Sequence, residues 1–178
     1  MMETRNVLFL DRDGVINVDV GYLSNPAQLE FIPGAIEAMK EAQTRGYDII
    51  VVTNQSGVAR GYYTEEDVQA LHAEMSRRLE AEGVHILAYY YCPHHPEGTV
   101  EAYKKACDCR KPNPGMLTKA IEEWNVDVDG SFLVGDKPSD VEAAESIGMR
   151  AYPFEEENLM TFLTPIFAWE EGRKLLGL

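Results

Sequence analysis

No apolar run in this chain approaches the roughly 20 residues that cross a bilayer, and the N-terminus shows no signal-peptide hydrophobic segment. A soluble, non-exported globular protein is expected. Basic residues are scarce: 16 Lys and Arg stand against 30 Asp and Glu, a formal net charge of −14. Nucleic acid and anionic lipid both need basic surface, so the balance argues against either partner. It leaves room for a small anionic substrate held in a local cationic pocket. Cysteine is rarer still, three in 178 residues, all between 92 and 109. An odd count without an export signal argues against a disulfide framework and points to a cytoplasmic location. The chain contains neither an internal repeat nor a low-complexity linker, so residues 1–178 read as one domain.

What the chain does have is alternation. Apolar strand candidates occupy 6–10, 48–53, 86–91, 131–134 and 150–153, with helical stretches at about 34–46, 64–83, 114–125 and 138–147. Thr64 followed by Glu65, Glu66 and Asp67 is an N-cap with acids on the positive end of the helix dipole. Strand–helix alternation predicts a three-layer α/β fold with a mostly parallel sheet. A last stretch, about 158–176, carries Leu159, Phe162, Leu163, Ile166, Phe167 and Leu175 to cover the sheet. No insertion is long enough for a separate cap domain.

The sharpest local feature is Asp11-Arg12-Asp13-Gly14-Val15, directly after Val7-Leu8-Phe9-Leu10. Carboxylates at i and i+2 past a strand point the same way, and two like charges so close call for a shared cation or proton. A solvated strand-end turn uses the same residue types. Three further polar groups fall at other strand ends or ahead of a helix: Thr53-Asn54-Gln55-Ser56-Gly57, Arg110-Lys111-Pro112 and Gly135-Asp136-Lys137-Pro138-Ser139-Asp140. Ligands of such folds bind at the carboxyl ends of the strands, so four groups on one edge predict an active site. Asp11, Asp13 and Asp136 suit a hard cation such as Mg2+. The Thr53 hydroxyl and the amides of 53–57 suit phosphate oxygens, with Lys111 and Lys137 supplying positive charge. Together these describe phosphoryl transfer.

The four segments, in this order over roughly residues 5–150, resemble the motifs of the haloacid dehalogenase (HAD) superfamily of phosphotransferases. Asp11 to Asn17, Thr53 to Gly57, Cys92-Pro93-His94-His95-Pro96 and Cys107 to Pro112 further resemble its heptose 1,7-bisphosphate phosphatase branch. Histidinol-phosphate phosphatase, a related branch, is the alternative. A zinc-loop protein-binding module is the non-enzyme alternative. The resemblance implies a Rossmann-like HAD fold and a Mg2+-dependent phosphatase that takes the C7 phosphate and leaves the one at C1. It implies Asp11 as nucleophile, Asp13 as acid and base, and Mg2+ on Asp11, the main chain of Asp13 and Asp136. Thr53 and Lys111 would bind the transferring phosphoryl group. Arg110 and Lys137 would contact substrate, and Asp140 would hold Lys137 or a metal-bound water. Asp19, Gly21 and Tyr22, with Asn54, Gln55, Ser56 and Arg60, lie on loops placed to read the sugar.

The cysteines form Cys92-x-His94 and Cys107-x-Cys109. Three thiols and an imidazole can close a tetrahedral, structural zinc site, though these gaps are tighter than the usual two to four residues. Spacing alone leaves zinc and a loop of reduced cysteines both open. The resemblance favours Zn2+ on Cys92, His94, Cys107 and Cys109, with His94 rather than His95 as the ligand. His72 reads as a solvated helix residue, Trp124 and Trp169 as packing residues, and the protein as a monomer.

Overall fold

The computed structural model describes residues 3–178. β1 (Asn6–Leu10), β2 (Tyr47–Asn54), β3 (Ile86–Cys92), β4 (Phe132–Gly135) and β5 (Arg150–Pro153) form one sheet in the order β3-β2-β1-β4-β5, every pair parallel. Between and after them run α1 (Ala35–Thr44), α2 (Glu65–Ala81), α3 (Gly115–Trp124), α4 (Pro138–Glu145) and α5 (Leu159–Leu175). These bounds lie within two residues of the stretches that periodicity marks out.

Alternation along the strands builds three layers. Leu8 and Leu10 of β1, with Ile49 and Val51 of β2, face Met39 of α1, Leu71 and Met75 of α2, and Leu163 and Phe167 of α5. Val7 and Phe9, with Ile50 and Val52, face Leu117 of α3 and Ala143 of α4. Parallel strands buried on both faces must be apolar at every position, and Val7 to Leu10 are all 0% exposed. α2 opens with the expected cap: Thr64 Oγ1 accepts from the Asp67 N–H at 3.2 Å, and Asp67 Oδ2 accepts from the Thr64 N–H at 2.9 Å.

Three packing expectations need correction. α5 buries Leu159, Leu163, Phe167 and Glu170, a single stripe at helical spacing. Trp169 and Leu175 fall off that stripe and are 58% and 88% exposed. His72 is buried rather than solvated. It lies four residues after Val68 and three before Met75, on the apolar stripe that also carries Leu71 and Leu79.

The sheet order reverses beside β1, with β2 and β3 on one side and β4 and β5 on the other. That reversal opens a crevice at the carboxyl ends of β1 and β4. Among the described residues no insertion forms a separate cap, and no helix is long and apolar enough to cross a membrane.

Candidate active site

Pairing of β1 with β4 brings the first and last motifs together. Leu10 sits opposite Val134, and the Asp11 N–H donates to the Val134 carbonyl at 3.1 Å. Gly14, at φ +85°, turns the chain away, and a Cβ there would stand 2.2 Å from Asp136 Oδ2. Carboxylate oxygens of Asp11, Asp136 and Asp140 consequently lie within 4.8 Å of one another.

Lys111 reaches this cluster from the loop between β3 and α3. Its ammonium donates to Asp140 Oδ1 at 2.5 Å and to the Val52 carbonyl at 2.9 Å, and lies 3.1 Å from Asp11 Oδ1. The loop is held to the end of β2 by a reciprocal pair: the Lys111 N–H donates to Asn54 Oδ1 at 3.0 Å, and Asn54 Nδ2 donates to the Lys111 carbonyl at 3.2 Å. Burial works against the ammonium, but Asp11 and Asp140 outweigh it and raise its pKa. Burial likewise pushes the Asp11 carboxyl up; Lys111 opposes the rise, and Asp140 and Asp13 add to it. Asp140 holds Lys137 through the main-chain N–H of that residue, which it accepts at 3.1 Å, and has the Lys111 ammonium as a further partner.

Asp136 carries the clearest sign of a ligand. Its Oδ1 is buried with no hydrogen-bond partner, and burial followed by the charge of Asp11 pushes its carboxyl up from 3.8 to about 6. A donor set of hard carboxylate oxygens with one orphaned lone pair fits Mg2+. A carboxyl raised in the fold stabilises it most below 3.8, and that contribution is lost as pH climbs through about 6. The metal-free protein should therefore lose stability between pH 4 and pH 6, and Mg2+ should cancel the loss. Tm measured across that range, with EDTA and with Mg2+, checks both.

Asp13 is not among those clustered carboxylates, although it lines the same cavity as Asp11. It accepts from Arg12 Nε and Nη2 at 3.1 Å each, from Asn17 Nδ2 at 3.0 Å and from Gln55 Nε2 at 3.1 Å. Gln55 also donates to Thr53 Oγ1 at 2.8 Å and accepts from the Tyr63 hydroxyl at 2.5 Å. Asp11, Asp13, Thr53, Asn54, Lys111 and Lys137 line one cavity of about 40 Å³, together with Ser139 and Asp140. That is far below the roughly 300–1,000 Å³ of a pocket that encloses a whole small-molecule ligand, so the sugar lies outside it. A larger cavity of about 640 Å³, lined by Arg5, Asp48 and Trp124, sits at the opposite edge of the sheet, away from these groups.

The remaining predicted residues lie on the surrounding loops, outside that cavity. The Gly21 N–H donates to Asp19 Oδ1 at 2.9 Å, and Tyr22 meets Tyr62 edge-on at 4.8 Å. The Ser56 carbonyl accepts from the Arg60 N–H. Arg60 Nε and Arg110 Nη1 are buried without partners, cationic donors free for an anion. The sequence assigns no role to Ser139, Arg12 or Tyr63, and it reads His72 as solvated. For His72 the signal was its place on the apolar stripe, and for Arg12 its place between two acids.

At the end of β3, the donor atoms of Cys92, His94, Cys107 and Cys109 also lie within 4.8 Å of one another. Sulfur pairs are 2.9–3.4 Å apart, and His94 Nδ1 lies 3.5 Å from Cys109 and 3.7 Å from Cys92. His95 points elsewhere, its Nε2 3.4 Å from Arg60. The cluster is compatible with a zinc-binding loop.

The comparisons agree with this geometry. A family model for HAD-hydrolase-like proteins matches residues 108–153. D-glycero-β-D-manno-heptose-1,7-bisphosphate 7-phosphatase from Rhodopseudomonas palustris is 44% identical over 162 residues, covering 91% of this chain and 90% of that protein. The protein of the same name from Escherichia coli K12 is 47% identical over 144 residues, or 81% of this chain and 75% of that one. Among solved structures, the D,D-heptose 1,7-bisphosphate phosphatase from B. bronchiseptica, complexed with magnesium and phosphate, superposes with a TM-score of 0.76. It is 32% identical, covering 90% of this chain and 86% of that one. With its ordered motifs at one sheet edge and a relative this similar along nearly its whole length, the chain belongs to the D-glycero-β-D-manno-heptose-1,7-bisphosphate 7-phosphatase family of HAD-like hydrolases.

Proposed function

We propose that this protein removes the C7 phosphate from the β anomer of D-glycero-D-manno-heptose 1,7-bisphosphate, leaving heptose 1-phosphate. The observation that carries the reading is the pairing of Asp11 with Lys111 inside a cavity only large enough for the phosphoryl end of a substrate. The carboxylate is aimed and charge-balanced, and the sugar is left to the loops around it.

Asp11 attacks phosphorus in line and becomes an aspartyl phosphate, while the bond from phosphorus to the C7 oxygen breaks. Asp13 gives its proton to that oxygen, then takes one from the water that cleaves the aspartyl phosphate. To do so it must release at least one of its four hydrogen-bond donors. Lys111 and Thr53 hold the equatorial phosphoryl oxygens. Lys137, Asn54 and Ser139 complete the cavity wall. Asp11, Asp136 and the main-chain carbonyl of Asp13 are the residues that would hold Mg2+. When bound, the ion neutralises charge between the nucleophile and the phosphoryl oxygens. Asp19, Gly21, Tyr22, Gln55, Ser56, Arg60 and Arg110 present the sugar and its second phosphate. All of these groups lie on one chain, an arrangement that suits a monomer. The unpaired thiols suit a reducing cytoplasm, and the acidic surface disfavours nucleic acid.

Zn2+ on Cys92, His94, Cys107 and Cys109 would pin the loop that carries Arg110 and Lys111. Its removal with a strong chelator should open residues 93–110 to proteolysis and lower turnover, with the sheet retained. Intact activity and protease resistance in zinc-free protein would contradict that role.

The reading as a whole is tested by phosphate release with Mg2+ from both anomers of the heptose bisphosphate and from histidinol phosphate. Preference for the β bisphosphate supports it. Preference for histidinol phosphate would move the protein to another substrate class, and no release from any of them would favour a binding module.

A further inference from the structure

The fully buried Arg12 is the hub of a hydrogen-bond chain that starts on α2. Besides gripping both Asp13 oxygens, its Nη2 donates to the Leu23 carbonyl at 3.2 Å, and its Nη1 lies 3.2 Å from His72 Nε2. A guanidinium has no lone pair to offer, so His72 Nε2 must be the acceptor, which puts the ring proton on Nδ1. The ring stays neutral, because burial and then the Arg12 charge push its pKa down to about 3. It lies flat on Tyr89, with centroids 4.4 Å apart and planes at 13°. The Tyr89 hydroxyl is 2.8 Å from Ser76 Oγ, one turn further along the same helix. His72 is thus held by Arg12 at its Nε2 edge and by Tyr89 on its face, and it does not line the cavity.

Four N–H groups of the Arg12 side chain are thereby committed: two to Asp13, one to Leu23 and one to His72. The planar fork cannot rotate without losing the outer two. We propose that His72 is a positioning residue for the acid–base step, accepting from Arg12 and so fixing the fork that aims Asp13 at the departing sugar oxygen. This rests on the reading of Asp13 as the acid and base.

The consequence is selective. In the first half-reaction the Asp11–phosphorus bond forms, the phosphorus–oxygen bond breaks, and the proton of Asp13 goes to a strongly basic sugar alkoxide. 4-Nitrophenolate leaves without a proton, so a misaimed Asp13 costs that substrate little. A purely structural His72 would affect both substrates alike.

The test is the rate of Asp11 phosphorylation, by rapid quench, in the Mg2+- and Zn2+-loaded protein with heptose 1,7-bisphosphate and with 4-nitrophenyl phosphate. His72→Leu, which keeps bulk but removes the acceptor, should slow the sugar substrate about tenfold or more. The nitrophenyl substrate should stay within about twofold, and so should KM for the sugar. His72→Gln, which restores an acceptor, should recover most of the loss. His72→Met carries the same comparison if the leucine variant does not fold. Equal slowing of both substrates, or of neither, overturns the proposal. Asp13→Asn separates the two levels. If it fails to split the substrates, the acid–base reading itself falls; if it splits them and His72→Leu does not, only the role of His72 falls.

Discussion

Asp11→Asn is expected to lower phosphate release on the order of 10⁴-fold or more, with no trappable phosphoenzyme. The substitution is nearly isosteric, so the cavity and the Lys111 contact keep their shape. What is lost is the lone-pair nucleophile, and with it the covalent route through Asp11. A rapid-quench trap for the acid-stable phosphoprotein checks this alongside steady-state turnover. Substrate should still bind, because Lys111, Thr53 and the loop residues are untouched. Removal of one negative charge beside Asp136 should even tighten binding of the dianionic phosphate. Unchanged turnover in this variant would remove Asp11 from the chemistry.

The second large effect is on the fold. Lys111→Met should destabilise the protein by about 3–5 kcal/mol, because it strands Asp11 and Asp140, both almost wholly buried, without their shared cation. For a chain of this size that is a fall in Tm on the order of 10 °C. The sign with pH follows from the same pair. Asp11 is already raised by burial, and without Lys111 its carboxyl would rise further, so the variant should regain stability as pH falls and Asp11 takes up a proton. Lys111→Met combined with Asp140→Asn should recover much of the loss, since only one buried charge then lacks a partner. Catalysis should not return with it, because the phosphoryl oxygens still lack the ammonium. Denaturant melts of the two single variants and the double variant measure the coupling directly.

Much of this site is legible in the sequence, for a specific reason. Asp11 and Asp136 each follow a strand that is apolar on both faces, and the topology of a reversing parallel sheet leaves those two strand ends adjacent. Lys111 was legible as a positive charge that acids alone could not supply, though its partner was not. The sequence pattern puts Asp140 beside Lys137, three residues away. The fold also brings Lys111 across from a different loop, a contact 29 residues apart that no local spacing encodes. Asp13 shows the other limit. Alternation aims its side chain with that of Asp11, yet its oxygens are held by Arg12, Asn17 and Gln55 and do not join the cluster of Asp11, Asp136 and Asp140. His72 was missed because a histidine among acids reads as solvated, although its position on the stripe of Val68, Leu71 and Met75 pointed inward. Trp169 failed in the opposite direction, a large apolar residue that the α5 stripe leaves outside.

The central claim is that one phosphate of a bisphosphate enters the cavity while the other stays on the loops. ³¹P NMR of the β-heptose 1,7-bisphosphate reaction with Mg2+ tests it most directly. The account predicts that the C7 resonance is replaced by inorganic phosphate while the C1 resonance persists. Loss of the C1 phosphate first, or of both at equal rates, would contradict it.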